Sequence, residues 1–212
     1  MQITFLFYDG MTALDAVGPH EILCRLPGIS VKRVAKSSGK ITTDSGLILN
    51  ADYALSEVSH ADILFIPGAG NATTLQKYPE ILNWINLIHS KTTWTTSVCT
   101  GSLILGAAGI LSGVKATTHW AALDRLSTWG AEPIHERIVE SGKIITAAGV
   151  SAGIDMALTL AAKISGEHVA KTLQLGIEYD PEPPFDAGSP EKADPELLES
   201  LRKRMVALFE NE

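Results

Sequence analysis

Only two of the 212 residues are cysteine, Cys24 and Cys99, too few for a disulfide framework. No leader peptide is expected, because the chain opens on the strand-like QITFLF, and a reducing cytoplasm is the expected compartment. Long apolar runs are absent, each candidate being interrupted by Gly, Ser or a charge before it could span a bilayer. Positive charge is scarce. With 17 Lys and Arg against 24 Asp and Glu and no basic cluster, no nucleic-acid partner is expected, and small uncharged or electrophilic ligands fit better. The histidines are scattered without metal-ligand spacing and no Walker-type phosphate loop occurs, so no metal is expected. Repeats and low-complexity tracts are lacking too. What remains, 45% hydrophobic and 19% charged, is the composition of one well-buried globular domain.

Short apolar runs alternate with amphipathic stretches, which predicts an α/β fold with a parallel sheet. Strands are expected at Ile3 to Phe7, Ser30 to Ala35 and Ile63 to Pro67. Pro19 suits a first helical turn, so a helix is expected from Pro19 to Leu26 with Cys24 on its apolar face. Glu80 to Ser90 places Ile81, Trp84, Ile85 and Ile88 on one face. Ser151 to Ile164 is nearly all small and apolar apart from Asp155 and predicts a helix buried against the sheet or a partner subunit. Lys40 to Asn50 reads as an antiparallel excursion, and Arg137 to Ala147 as a hairpin turning at Ser141 and Gly142. The Pro-rich stretch from Asp180 to Pro190 cannot join a ladder or helix and predicts an extended arm, followed by a charged helix from Pro195 to Glu210.

The segment Thr92 to Gly106, TTWTTSVCTGSLILG, carries the chemistry. Its β-branched run favours a strand that ends at Cys99, and Thr100, Gly101 and Ser102 let the backbone reverse into a helix. S-V-C-T-G therefore has the outline of a nucleophile elbow, with Ser97 and Gly101 as the small flanks and sulfur as the reactive atom. A cysteine at a helix N-terminus is expected to have a lowered pKa, because free N–H groups and the helix dipole favour the thiolate. A buried structural cysteine at a strand end is the other reading of the same residues.

Ligands of an open α/β sheet gather beyond the carboxyl ends of its strands, which selects three segments as partners for Cys99. Asp15 lies in the loop expected after the first strand, Gly68, Ala69 and Gly70 follow ILFIP, and Thr117, Thr118, His119 and Trp120 open a helix. The glycine-rich turn could aim N–H groups at an anion. Asp15 beside a thiolate would have a raised pKa and could hold a proton, or it could be a solvated cap. Glu21 is a second carboxylate candidate. A Cys/His reading through His119 would point to a peptidase, although no acid partner orients that ring.

LDAVGPHEIL, IPGAG, SVCTGSLILGAAG, ATTHW, AGVSAGIDMALTLAA and the arm EYDPEPPFDAGSP together resemble the ThiJ/PfpI superfamily, and within it the isocyanide hydratase branch. The resemblance covers residues 1–190, with 191–212 as a helical tail of the same domain. It implies a flavodoxin-like three-layer αβα sandwich with a mainly parallel central sheet, a homodimer and no cofactor. Residue by residue it makes Cys99 the nucleophile, Asp15 its acid and Thr100 the neighbouring hydroxyl, with amides of Ala69 and Thr100 at the anion pocket. Gly68, Ala69, Gly70, His119 and Trp120 are expected around the substrate. Two departures matter. Ala69 replaces the second glycine of the usual P-G-G, a constraint if that position needs a positive φ. Thr100 stands where the protease-like branch has histidine, which removes an adjacent base.

The implied reaction is attack of Cys99 on the terminal carbon of an isocyanide, protonation by Asp15 to a thioimidate, and hydration to an N-formamide. A glyoxalase-like enzyme acting on α-oxoaldehydes and a thiol-based stress sensor are the alternatives. A ligand-sensing domain of a transcription regulator is disfavoured, because about 22 residues after the arm cannot hold a helix-turn-helix module.

Overall fold

Five parallel strands are built from the apolar runs: β1 (Gln2–Leu6), β2 (Ser30–Ala35), β6 (Ile63–Ile66), β7 (Trp94–Val98) and β11 (Ile144–Ala147). They belong to a seven-stranded sheet of order β10-β11-β7-β6-β1-β2-β5, in which β5 (Tyr53–Ala54) pairs in parallel and only β10 (Ile138–Ser141) is antiparallel. The computed structural model describes residues 1–70, 75 and 77–210. Every side chain of β6 is buried, and Phe65 stacks on Phe5 of β1 with ring centroids 4.6 Å apart. Such continuous apolar strands need cover on both faces.

Helices supply that cover. α1 (Ala13–Leu23) packs on α4 (Ala152–Ser165), which packs in turn on α5 (Glu167–Gly176), while α2 (Pro79–His89) packs on α3 (Gly101–Ala107). The chain leaves β1 toward β2 through α1 but runs from β6 toward β7 through α2. Right-handed crossovers in opposite directions put these helices on opposite faces. The αβα sandwich expected from the sequence is therefore the observed architecture. Because strand order reverses beside β1, a crevice opens at the carboxyl ends of β1, β6 and β7.

Several boundaries differ from expectation for identifiable reasons. α1 starts at Ala13, six residues before Pro19, and so takes in Asp15, which is in a helical turn and not a loop. The helix shows no polar face that would reveal its period, because one side packs on α4 and the exposed side carries Leu14 and Val17 before Glu21. Pro19 lies inside it, where the missing N–H removes one helical bond. The helix also ends sooner, with half-buried Cys24 as its C-cap. The hairpin turn is Gly142 and Lys143, not Ser141 and Gly142, with Gly142 at φ +61°.

Lys40 to Asn50 does form an antiparallel pair, β3 (Gly39–Thr42) with β4 (Ile48–Ala51). Beyond a short pair, β8 (Lys115–Ala116) with β9 (Glu132–Pro133), the segment after His119 is a 3₁₀ stretch, Trp120–Trp129, and not an α-helix. The arm has no regular structure, and α6 (Pro195–Glu210) follows it. Positions 211 and 212 of the expected tail lie outside the described residues. Among the described residues no helix is long and apolar enough to cross a membrane.

Candidate active site

Cys99 occupies the turn between β7 and α3 with φ +55°, in the left-handed region where a residue with a Cβ is strained. Its neighbours hold it there. The Cys99 N–H donates to the carbonyls of Ala147 (3.1 Å) and Ala148 (2.9 Å). Its carbonyl accepts from the hydroxyls of Thr118 (2.8 Å) and Ser102 (3.2 Å). Gly101 is required for a different reason than φ: a Cβ there would lie 2.3 Å from the Ile66 carbonyl oxygen. The elbow inferred from S-V-C-T-G is thus the local structure. Sequence reasoning did not assign Thr118 its role of tying down the Cys99 carbonyl.

Asp15 is completely buried in the first turn of α1. Its Oδ2 accepts the Gly68 N–H at 2.8 Å, and its Oδ1 has no hydrogen-bond partner among the described residues. Burial pushes the carboxyl up to about 7. The Gly68 N–H opposes this, the charge of Asp44 reinforces it, and the Cys99 thiol, a donor beside it, pulls it down. Cys99, 5% exposed, moves upward as well, first through burial and then through the Asp15 charge. N–H groups of Thr100 and Val150 and the Thr100 hydroxyl pull it the other way without prevailing.

The expected low thiol pKa is therefore not what the surroundings produce. A helix of seven residues that begins in a dry site does not outweigh desolvation beside a carboxylate. The two groups titrate as a pair. Each charge therefore disfavours the other, and burial holds both groups toward their neutral forms.

Thr100 binds the loop after β6 reciprocally. Its hydroxyl accepts the Ala69 N–H at 2.9 Å and donates to the Ala69 carbonyl at 2.7 Å. The amides of Gly68 and Ala69 are thus committed to Asp15 and Thr100, and the anion pocket expected to use the Ala69 amide is built otherwise. Thr100 and Val150 supply the N–H groups that face the sulfur. Val150, in the loop between β11 and α4, has φ +20° and was not singled out from the sequence. The signal was available, since that loop follows the strand beside β7 at its carboxyl end. Ala69 does not adopt a positive φ, so its Cβ costs nothing in backbone strain. Gly68 serves close approach: a Cβ would fall 2.6 Å from the Thr100 nitrogen, 2.7 Å from its hydroxyl and 2.9 Å from Asp15 Oδ2.

A cleft of about 500 Å³ opens beside this cluster. Leu14, Thr118, His119, Trp120, Val150 and Pro190 are among its walls, so the arm closes one side of it. His119 and Trp120 sit where the sequence reading expected them, whereas Gly68, Ala69 and Gly70 do not line the cleft. Burial lowers the His119 pKa, and its Nδ1 accepts the Ala121 N–H at 3.3 Å, leaving the ring proton on Nε2. No imidazole is among the groups acting on the Cys99 thiol, so a Cys/His dyad is not formed. Glu21 is exposed and pairs with Arg25 at 2.6 Å, outside the site. Among the described residues no cluster of three His, Cys, Asp or Glu side chains could hold a metal.

The model of the DJ-1/PfpI family matches residues 1–163. The chain is 41% identical to the isonitrile hydratase of Pseudomonas putida over 204 residues, covering 96% of this chain and 90% of that protein. It is 24% identical to the glutathione-independent glyoxalase DJR-1.2 of Caenorhabditis elegans, covering 76% and 86%. Among solved structures, a ThiJ/PfpI family protein from Pseudomonas syringae superposes with a TM-score of 0.93 at 38% identity, covering 98% of this chain and 89% of that one.

Proposed function

The chain belongs to the DJ-1/PfpI family, and from that membership and the geometry of its site we propose that it hydrates isocyanides to N-substituted formamides. Similarity to the Pseudomonas putida isonitrile hydratase along nearly the whole chain supports the assignment. One observation carries it. An isocyanide takes both a nucleophile and a proton at the same terminal carbon, so acid and nucleophile must stand side by side. Asp15 and Cys99 are buried together in that relation, with no imidazole between them.

The Cys99 thiol passes its proton to the Asp15 carboxylate, and the thiolate, held by the Thr100 and Val150 N–H groups, attacks the carbon of R–N≡C. Asp15 returns the proton to that carbon, giving the thioimidate R–N=CH–S–Cys99. Water then adds across C=N, with Asp15 as the base that activates it. Collapse of the R–NH–CH(OH)–S–Cys99 adduct breaks the C–S bond, releases R–NH–CHO and restores the thiol. Thr100 keeps the loop of Gly68 and Ala69 against the pair, and His119 and Trp120 border the space for the R group. A homodimer in the reducing cytoplasm is the setting in which we place this enzyme.

Formamide production from an aryl isocyanide, followed by ultraviolet absorbance, tests the proposal. Cys99→Ala should lower turnover by roughly a thousandfold or more. Full activity in that variant overturns the mechanism. A glyoxalase reading, in which the thiol adds to an α-oxoaldehyde as a hemithioacetal, is favoured by the similarity to the Caenorhabditis elegans protein. Consumption of methylglyoxal without formamide production would replace the first reading by the second.

A further inference from the structure

The end of β3 and the loop that follows it are fastened to the segment leading into α1 by four hydrogen bonds. The Gly10 N–H donates to the Thr42 carbonyl at 2.8 Å, and the Thr42 N–H donates to Asp9 Oδ1 at 2.8 Å. The Asp44 N–H donates to the Met11 carbonyl at 3.1 Å. The Thr12 hydroxyl donates to Asp44 Oδ2 at 2.6 Å, although Thr12 is the residue whose side chain ordinarily caps the helix that follows. From Thr12 the connection continues inward. Its N–H donates to the Gly68 carbonyl at 2.9 Å, and the Gly68 N–H donates to Asp15 Oδ2. An exposed carboxylate is thereby linked in three steps to the buried acid of the site.

We propose that Asp44 is a positioning residue: through Thr12 and Gly68 it fixes the first turn of α1 that carries Asp15, and it keeps a negative charge beside that buried carboxyl. The charge and the tether can be separated, because asparagine at position 44 still accepts from Thr12 while valine at position 12 cannot donate. The titratable groups facing Asp15 are Asp44, Cys99 and Tyr8. Tyr8 donates to the Pro67 carbonyl at 2.8 Å and is held neutral, first by burial and then by the charges of Asp15, Cys99 and Asp44. Asp44 is the one of the three on the outer surface. Its charge opposes ionisation of Asp15, so it keeps the acid loaded with a proton closer to neutral pH.

The inference uses the acid role given to Asp15 above, and its test needs no isocyanide. In a Cys24→Ser background, the rate at which iodoacetamide alkylates Cys99 is followed by intact mass between about pH 5 and 9, where the Asp15–Cys99 pair loses its first proton. Asp44→Asn is expected to move the acid limb down by roughly half a pH unit. Asp44→Glu should restore the limb, and Thr12→Val should move it less than Asp44→Asn does. Because Asp44 is exposed, raising salt from ~0.01 to ~1 M should lower the limb in the parent and leave Asp44→Asn unmoved. A limb unchanged in Asp44→Asn, or an equal salt response in both proteins, overturns the proposal. If these shifts occur while isocyanide is not hydrated, the hydratase reading fails and the role of Asp44 stands.

Discussion

Replacing Gly68 by alanine places one methyl group against both Thr100 and Asp15. The new Cβ would be 2.6 Å from the Thr100 nitrogen, 2.7 Å from its hydroxyl and 2.9 Å from Asp15 Oδ2, where ordinary contact begins near 3.4 Å. The nitrogen is backbone held by the elbow, and the two oxygens end short buried side chains already bonded to the Gly68 and Ala69 N–H groups, so none of the three swings away freely. The separations must open by roughly 0.5–1 Å, and a displacement of that size at reacting groups costs about a hundredfold in rate. The move also weakens the charge-assisted Gly68 to Asp15 bond, worth about 2 kcal/mol, or roughly 4–8 °C in Tm for a chain this long. Turnover of an aryl isocyanide and a thermal melt would be measured on the same preparation. A variant melting within about 1 °C of the parent with undiminished kcat refutes this reading of Gly68.

Asp15 also sets a pH dependence of stability. Its folded-state pKa of about 7 lies above the ordinary 3.8, so the native state binds more protons between those values, and stability falls as pH rises through that window. Asp15→Asn should remove the loss and exceed the parent in urea midpoint at pH 8 by the equivalent of a few (~2–4) kcal/mol while losing activity. An unchanged difference between the two proteins at pH 4 and pH 8 would count against it. Thr118→Val leaves the Cys99 carbonyl without its 2.8 Å donor and should cost about 1 kcal/mol in urea denaturation with a fall in kcat. Parent-like values for both would show that the elbow holds without it.

The parallel sheet was legible because strands covered on both faces are apolar without interruption, as in ILFI at Ile63–Ile66. The elbow was legible because small residues flank Cys99, and Gly101 must be small where it crosses Ile66. The start of α1 was not, since its exposed face carries the apolar Leu14 and Val17, which erases the 3.6-residue alternation, and Pro19 imitates a beginning. Thiol acidity was misread from the helix N-terminus alone, because burial and the sign of the nearest charge depend on tertiary placement. Val150 and Asp44 escaped for a related reason. Val150 acts through its backbone, which any residue type possesses, and Asp44 reaches the site through hydrogen bonds between segments far apart in sequence.

A sulfur buried to this degree is also a gauge. Cys99 is 5% exposed and does not itself line the cleft, whose walls include Val150 and Thr118, so a reagent that reaches the sulfur must present its electrophilic atom at the tip of something slender. An isocyano group is a linear rod two atoms long and meets that condition. A bulky disulfide does not, so mixed-disulfide exchange at Cys99 is expected to be slow. The same burial that makes the thiol reluctant to ionise thus also restricts which molecules can test it.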